Sequence, residues 1–437
     1  MSKKVPKLLV SDKKGNVFDV PFCQGTGMKN GVYFKLDLDC LIKLHPDSEL
    51  FMLPDRYAVG YDLEKKELSY LKYNPYSKNN EPCYAVAAFV SPGHTVMYNA
   101  SYFEDNKKNN LLPLFCYSAV VFFKDNFYVP AIKIDREKRQ ELRFMNNDVI
   151  KDNVNNYLKL FPKNRLIKHL KKCAIVYGCP AAKNFFLKRY EGPLPSSPIC
   201  NSRCIGCISY QKSESCSSTQ VRINFVPTAE EIAQIAIFHI SNVDDPIVSF
   251  GQGCEGEPLM VSDVIEKAIK IIRKTTLKGI INMNTNASKP NSVLRLFDCG
   301  LDSIRVSMNS VRDKYYSMYY KPKDYKFSDV VKSIKNAKKK NGFVSINYLV
   351  MPGFTDLSEE NNALLSFLEE TNIDMIQWRN LNYDPMEYFR KMKLVGSNSN
   401  NMIGIDKVIN SVKEKYPNIM NGYFNPSKYR IKRFLEK

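Results

Sequence analysis

Three cysteines near the middle of this 437-residue chain have the spacing of a shared ligand set. They read Cys200-Asn201-Ser202-Arg203-Cys204-Ile205-Gly206-Cys207, a C-x3-C-x2-C run. Three thiolates this close can hold three corners of an iron–sulfur cube. One iron is then left without a protein ligand, open to bind and activate another molecule. Clusters that only carry electrons usually take four cysteines, so the spacing argues for chemistry at the open iron. The rival for the same residues is a structural zinc site, which takes four ligands, commonly as paired C-x2-C units. Cys179 or Cys216 would have to supply the fourth.

The elements around the triplet place it at the entry of an alternating α/β region. Residues 1–150 read as a β-rich domain, with a short apolar run at 84–90. Two further runs, 114–123 and 127–134, flank the hairpin signal Lys124-Asp125-Asn126. A helical connector follows over 151–190, interrupted near Tyr177-Gly178-Cys179-Pro180. The Pro/Ser-rich segment 191–198 then delivers the chain into Cys200. Beyond the triplet, Thr228-Ala-Glu-Glu231 is a capping box that opens a helix. Strands are expected at 247–250, 279–283, 303–307, 344–350 and 373–379, with helices between them. Residues 191–390 therefore read as a core built from strand–helix units. Gly396–Asn401 reads as a loop, within a 391–437 tail that is basic and helical over 405–437.

Parallel α/β folds collect functional groups at the carboxyl ends of their strands. Here those ends are polar: Gly251-Gln-Gly-Cys-Glu-Gly-Glu-Pro258, Asn284-Thr-Asn286, Ser307-Met-Asn309, Asn347 with Met351-Pro-Gly353, and Gln377-Trp-Arg-Asn380. Such a rim suits a polar ligand with ribose, amino and carboxylate groups. Trp378 is expected in the core and Arg379 on the rim.

At this point the sequence resembles the radical S-adenosylmethionine (radical SAM) enzymes. The triplet resembles their cysteine signature, and Gly256-Glu257-Pro258 resembles the end of their Gly-Gly-Glu-Pro motif. Thr285-Asn286, Ser307 with Asn309, and Asn347 resemble their later strand-end motifs. Within the family, the run Gln252–Pro258 resembles uncharacterised bacterial members. The resemblance implies a partial (β/α)6 TIM-like barrel behind the N-terminal domain, with a 4Fe–4S cluster on Cys200, Cys204 and Cys207. It implies S-adenosylmethionine held by Gly256, Glu257, Asn286, Ser307, Asn309 and Asn347, with Arg312 or Lys321 near its carboxylate. It also implies a reductant such as flavodoxin or ferredoxin, and a 5′-deoxyadenosyl radical that takes hydrogen from an unknown substrate. Two positions depart from the family pattern. Gly206 stands where an aromatic residue is usual, with Tyr210 or Ile208 as substitutes, and Glu255 stands where the first Gly is expected.

Bulk properties restrict the setting. The net charge is +19, but the lysines are scattered and no dense basic arm or nucleic-acid motif is present. An RNA-modifying member is therefore an alternative and not the favoured reading. A cluster-binding scaffold without turnover is a second alternative, motivated by Gly206 and Glu255. No run of eighteen apolar residues predicts a membrane span, and nothing reads as a signal peptide. Twelve irregularly placed cysteines suggest a reducing, cytoplasmic setting. Cys23, Cys40, Cys83, Cys116 and Cys299 read as small buried hydrophobes. Cys173, Cys179, Cys216 and Cys254 are an ambiguous set: a second metal site is the alternative, but their spacing matches no common pattern, and buried thiols are the favoured reading. His45, His94, His169 and His239 form no evident ligand set.

Overall fold

The computed structural model describes residues 5–105, 110–211, 216–396 and 401–436. Four residues of the expected loop at 396–401, positions 397–400, lie outside the described residues. The chain divides into two compact units.

The first unit comprises residues 1–136 together with 350–363 and 379–414. Its organising element is the long strand Val17–Lys29. That strand pairs antiparallel with Lys7–Ser11, Val32–Lys35, Tyr57–Asp62 and Asn99–Ala100. Alternation sets the core: Leu8 and Val10 enter one apolar cluster, while Leu9, on the other face, enters a second. The expected hairpin forms between Val121–Phe123 and Asn126–Val129. Its turn residues Lys124 and Asp125 have φ of +45° and +59°, as a two-residue type I′ turn requires. The expected run at 127–134 is split in two, because Pro130 has no N–H to give to a ladder. Two buried ion pairs lie within this unit, Lys29–Asp356 at 2.7 Å and Arg56–Asp384 at 3.3 Å.

The second unit comprises 137–349, 364–378 and 415–437. It opens with three helices, Asn147–Leu160, Arg165–Ile175 and Pro180–Phe186. Asn146 and Asn164 cap the first two through their side-chain oxygens, and Pro180 starts the third. A seven-stranded sheet follows in chain order: Glu191–Pro193, Ile247–Phe250, Ile280–Thr285, Ser303–Met308, Phe343–Val350, Met375–Asn380 and Met420–Gly422. The first five strands pair parallel in succession, and Met375–Asn380 pairs parallel with Met420–Gly422. Among the described residues the first and last strands each have one neighbour, so the barrel is partial. Both are three residues long, and the sequence marked them as connector and helical tail. They are strands because each completes the ladder of a longer neighbour. Along the chain, the last strand is followed by the helix Lys428–Leu435; the other helix of the tail, Ile405–Lys415, belongs almost wholly to the first unit.

Polar side chains bridge the two edges of this sheet. Asn425 donates to Glu191 at 2.8 Å and accepts from Gln377 at 2.9 Å, and the Tyr190 hydroxyl donates to the Asn425 carbonyl. In the layer of Ser249, Asn282 and Ser303, register places the three side by side, and their side chains are hydrogen-bonded in a row. The interior of the sheet is thus polar, and the apolar residues of the same strands face the helices. Trp378 is fully buried, with its indole N–H donating to Asn421 at 2.7 Å.

His239 lies on the helix Ala229–Asn242, opened by the predicted capping box. The ring fills the space over Gly192, where a Cβ would come within 2.8 Å of it. Burial lowers its pKa from 6.5 to about 4. The unfolded chain therefore takes up the proton first. Stability is intact above pH 6.5 and is lost as the pH falls toward 4, by on the order of 3 kcal/mol. His239→Phe is expected to flatten this acid limb. Urea midpoints of variant and wild type at pH 7 and pH 5 give the test: an unchanged pH dependence would remove His239 as its source.

Candidate functional site

The loop that follows the first strand carries the cysteine triplet, and four elements hold it. Arg203 and Ile205 donate their backbone N–H to the carbonyls of Tyr320 and Tyr319, at 2.9 and 3.1 Å. The Ser202 hydroxyl pairs with the Tyr325 hydroxyl at 2.8 Å, which in turn meets Tyr316 at 3.1 Å. Asn286 donates its amide to Asn201 Oδ1 at 2.8 Å and to Ser202 Oγ at 3.0 Å. Asn201 donates onward to Ser288 at 2.9 Å. Arg222 places one guanidinium nitrogen 3.7 Å from Cys207 Sγ and another 3.2 Å from Ser209 Oγ.

The three thiols are partly buried and within reach of one another's charge. Burial pushes Cys200 up to about 11 and Cys204 well above its ordinary range. The Cys200 and Cys207 charges add to the effect on Cys204, and Glu257 adds to it at both. Such a group resists losing its protons unless a cation replaces them. A coordinating metal ion deprotonates its thiols outright.

The second half of the site is the exit of strand Ile247–Phe250. Gly251, at φ +76°, packs where a Cβ would stand 1.7 Å from the Asn284 carbonyl oxygen. A Cβ on Gly256 would stand 2.0 Å from the Ile199 carbonyl oxygen, so only glycine lets this loop lie against the triplet loop. There Gly256 N–H donates to Ser197 O at 2.6 Å, and Glu257 N–H to Ile199 O at 2.8 Å. Glu255 is fully engaged. One carboxylate oxygen accepts from Gly251 N and Gln252 N, at 2.6 and 2.8 Å. The other accepts from Ser196 N, Ser196 Oγ and Ser197 N, at 2.7, 2.9 and 3.0 Å. The Glu257 carboxylate accepts from Leu259 N at 3.1 Å, Asn286 N at 2.8 Å and the Thr285 hydroxyl. Burial nevertheless pushes it up to about 7.

Deeper along the sheet, Ser307 and Asn347 are register partners on adjacent strands. The Asn347 Oδ1 is buried without a partner. Asn309 is fully buried and donates to the Tyr315 carbonyl at 3.3 Å. Arg312 stands before the helix Asp313–Tyr320, 4.4 Å from the Tyr315 ring centre, and Lys321 ends that helix in an exposed left-handed position. Ile208 packs against the Gly253 backbone, and the exposed Tyr210 ring lies 5.5 Å from the Arg222 guanidinium.

Residues 194–365 match the family model of the radical SAM superfamily. The chain carries a radical SAM domain. Enzymes of this class bind a 4Fe–4S cluster and S-adenosylmethionine. One relative is the uncharacterised protein MJ0804 of Methanocaldococcus jannaschii, 28% identical over 173 residues, which are 40% of this chain and 50% of the relative. The chain thus spans about half the length of the curated relative it matches. Among solved structures, Streptococcus suis SuiB bound to its precursor peptide SuiA is 15% identical. The match covers 75% of this chain and 73% of that one, with a TM-score of 0.39. The structure of anSMEcpe with bound AdoMet is 18% identical, covering 44% and 52% of the two chains, with a TM-score of 0.34.

The residues present in the radical SAM domain fit its cofactors. One short loop carries the three thiols, with Cys207 beside the Arg222 guanidinium, and the neighbouring strand ends hold Glu257 and an orphaned buried amide oxygen on Asn347. Several supports were not singled out in the sequence: Ser202, Arg222, Ser288, and the tyrosines 316, 319, 320 and 325. The dense run Tyr315-Tyr-Ser-Met-Tyr-Tyr320 was the available signal for the first three of these tyrosines. Among the cysteines read as buried hydrophobes, Cys23, Cys83 and Cys116 are buried. Cys40, Cys299 and Cys179, the last read as a buried thiol, are partly exposed, a correction that follows from their places in a short 3-10 turn, at a helix C-cap and at a helix N-cap. No helix among the described residues is long and apolar enough to cross a membrane.

Proposed function

We propose that this chain is a working radical SAM enzyme, with Cys200, Cys204 and Cys207 holding the 4Fe–4S cluster. The observation that carries this reading is the backbone docking of the Gly256–Glu257 segment against the entry to the triplet loop, through Ser197 and Ile199, with Asn286 tying the next strand end to Asn201 and Ser202. When bound, the reduced cluster supplies the electron that cleaves the sulfonium C–S bond of S-adenosylmethionine, giving methionine and a 5′-deoxyadenosyl radical.

The chain's own groups position that chemistry. Three acceptor sites of the Glu257 carboxylate are occupied, which leaves about one lone-pair direction for an ammonium donor. The Gly256 backbone lies beside it. Ser307, Asn309 and Asn347 supply hydroxyl and amide groups for the ribose and the adenine side, and the orphaned Asn347 oxygen is the best-supported acceptor among them. Asn286 acts chiefly as a positioning residue, since its amide already ties the strand end to Asn201 and Ser202. A flavodoxin or ferredoxin would supply the electron, and the substrate is a molecule with an abstractable hydrogen. Residues 1–150 would serve as an accessory domain to the core.

Anaerobic reconstitution with iron and sulfide, followed by dithionite and S-adenosylmethionine, tests this. The expected result is about four irons per chain and release of 5′-deoxyadenosine. A chain that takes up no iron at the triplet, or holds a cluster yet releases no 5′-deoxyadenosine, would overturn the proposal.

A further inference from the structure

A second set of metal-ligating side chains meets away from the triplet. His169 and Cys173 lie one turn apart on the helix Arg165–Ile175, so their side chains share a face. Cys254 comes from the loop that carries Glu255, Gly256 and Glu257. The ligand atoms of His169, Cys173 and Cys254 all lie within 4.8 Å of one another, and Cys173 Sγ is 3.5 Å from His169 Nε2. Cys173 is completely buried and Cys254 is 3% exposed. Cys179, whose backbone N–H donates to the Cys173 carbonyl at 2.9 Å, is the next thiol along the chain, and its sulfur stands outside the 4.8 Å group.

These separations fit a single ion. Around a tetrahedral Zn2+ with Zn–S of about 2.3 Å and Zn–N of about 2.1 Å, ligand atoms stand roughly 3.5–3.8 Å apart. Cubane corners would spread the sulfurs farther, and a disulfide would draw two of them to about 2.05 Å and leave the imidazole unused. A buried mixture of sulfur and imidazole donors is the set that zinc prefers over calcium or magnesium.

We propose that His169, Cys173 and Cys254, with Cys179 as fourth donor, form a structural zinc site. It staples the helix Arg165–Ile175 to the loop that presents Gly256 and Glu257. The site is independent of the cluster and takes no part in electron transfer, because Zn2+ has no accessible redox partner state.

The test uses the full-length chain with Cys200, Cys204 and Cys207 all replaced by Ala, which removes the competing thiolate set. Titrated with Co2+, this chain is expected to bind about one equivalent. It should show the thiolate-to-cobalt charge-transfer band and the intense d–d absorption of a tetrahedral ion, both erased by Zn2+. Adding Cys173→Ser or Cys254→Ser should abolish the spectrum, and Cys179→Ser should weaken binding about tenfold or more. Cys216→Ser should leave the spectrum unchanged. Should the serine variants fail to fold, X-ray absorption at the zinc edge on the unaltered site gives a separate reading, with one nitrogen and three sulfurs expected. Absence of stoichiometric metal, a sulfur-free coordination shell, or a Cys173–Cys254 disulfide in non-reducing peptide maps would overturn the site. Two sulfurs in place of three would overturn the place of Cys179.

Discussion

Cys204→Ala is expected to leave a folded protein that holds no 4Fe–4S cluster and releases no 5′-deoxyadenosine, a loss of at least about two orders of magnitude in turnover. In the proposed set Cys204 is the middle ligand, flanked by Arg203 and Ile205, whose backbone N–H groups are fixed to the carbonyls of Tyr320 and Tyr319. Two thiolates do not retain a cube that already has one open corner. The fold should survive, because the loop is held by backbone bonds from Arg203 and Ile205 and by Ser202 and Asn201, none of which uses the thiol. The measurements are iron and sulfide content, the visible absorbance of the cluster, circular dichroism, and 5′-deoxyadenosine by chromatography. Cys216→Ala is the matched control and should keep full activity. A Cys204→Ala chain that still cleaves S-adenosylmethionine would remove the triplet from the mechanism.

The triplet was legible because ligand chemistry depends on residue type at short spacing, and short spacing is what a sequence displays. The Gly256-Glu257-Pro258 run and the polar strand ends were legible for a related reason: strands with apolar interiors and polar ends announce where a parallel sheet keeps its chemistry. Two classes of feature were hidden. The edge strands Glu191–Pro193 and Met420–Gly422 carry Gly, Pro and Asn, whose local preference is for turns. Only a neighbouring strand makes them strands. The meeting of His169, Cys173 and Cys254 joins a helix to a loop some eighty residues away, and no spacing rule covers it. Its one local trace was His169 and Cys173 four residues apart on a predicted helix.

Glu255 was legible only as an irregularity, a carboxylate where the family pattern has glycine. The structure gives it a job that glycine could not perform. It gathers the exit of one strand, at Gly251 and Gln252, and the entry to the triplet loop, at Ser196 and Ser197, onto a single side chain. Five N–H and O–H groups donate to its side chain, so the charged carboxylate is the form that satisfies them. Burial opposes that charge and raises the pKa, while the surrounding N–H groups pull it back down.

Glu255→Gln is therefore expected to be far from conservative. A glutamine must turn its NH2 toward one side or the other, and each side presents at least two backbone N–H donors. At about 1–3 kcal/mol for each buried donor left unsatisfied, the cost is on the order of 3 kcal/mol, and Glu255→Ala should cost more because every donor loses its partner. The loss should be local first. Hydrogen exchange at Ser196, Ser197, Gly251 and Gln252 is expected to accelerate by about a hundredfold for that free energy, with lower thermal stability alongside. Because Gly256 and Glu257 hang on the same pair of segments through Ser197 and Ile199, reconstituted iron per chain should fall as well. Wild-type exchange and iron content in Glu255→Gln would mean that the backbone holds this junction without the carboxylate. The departure from the family pattern would then lose its explanation.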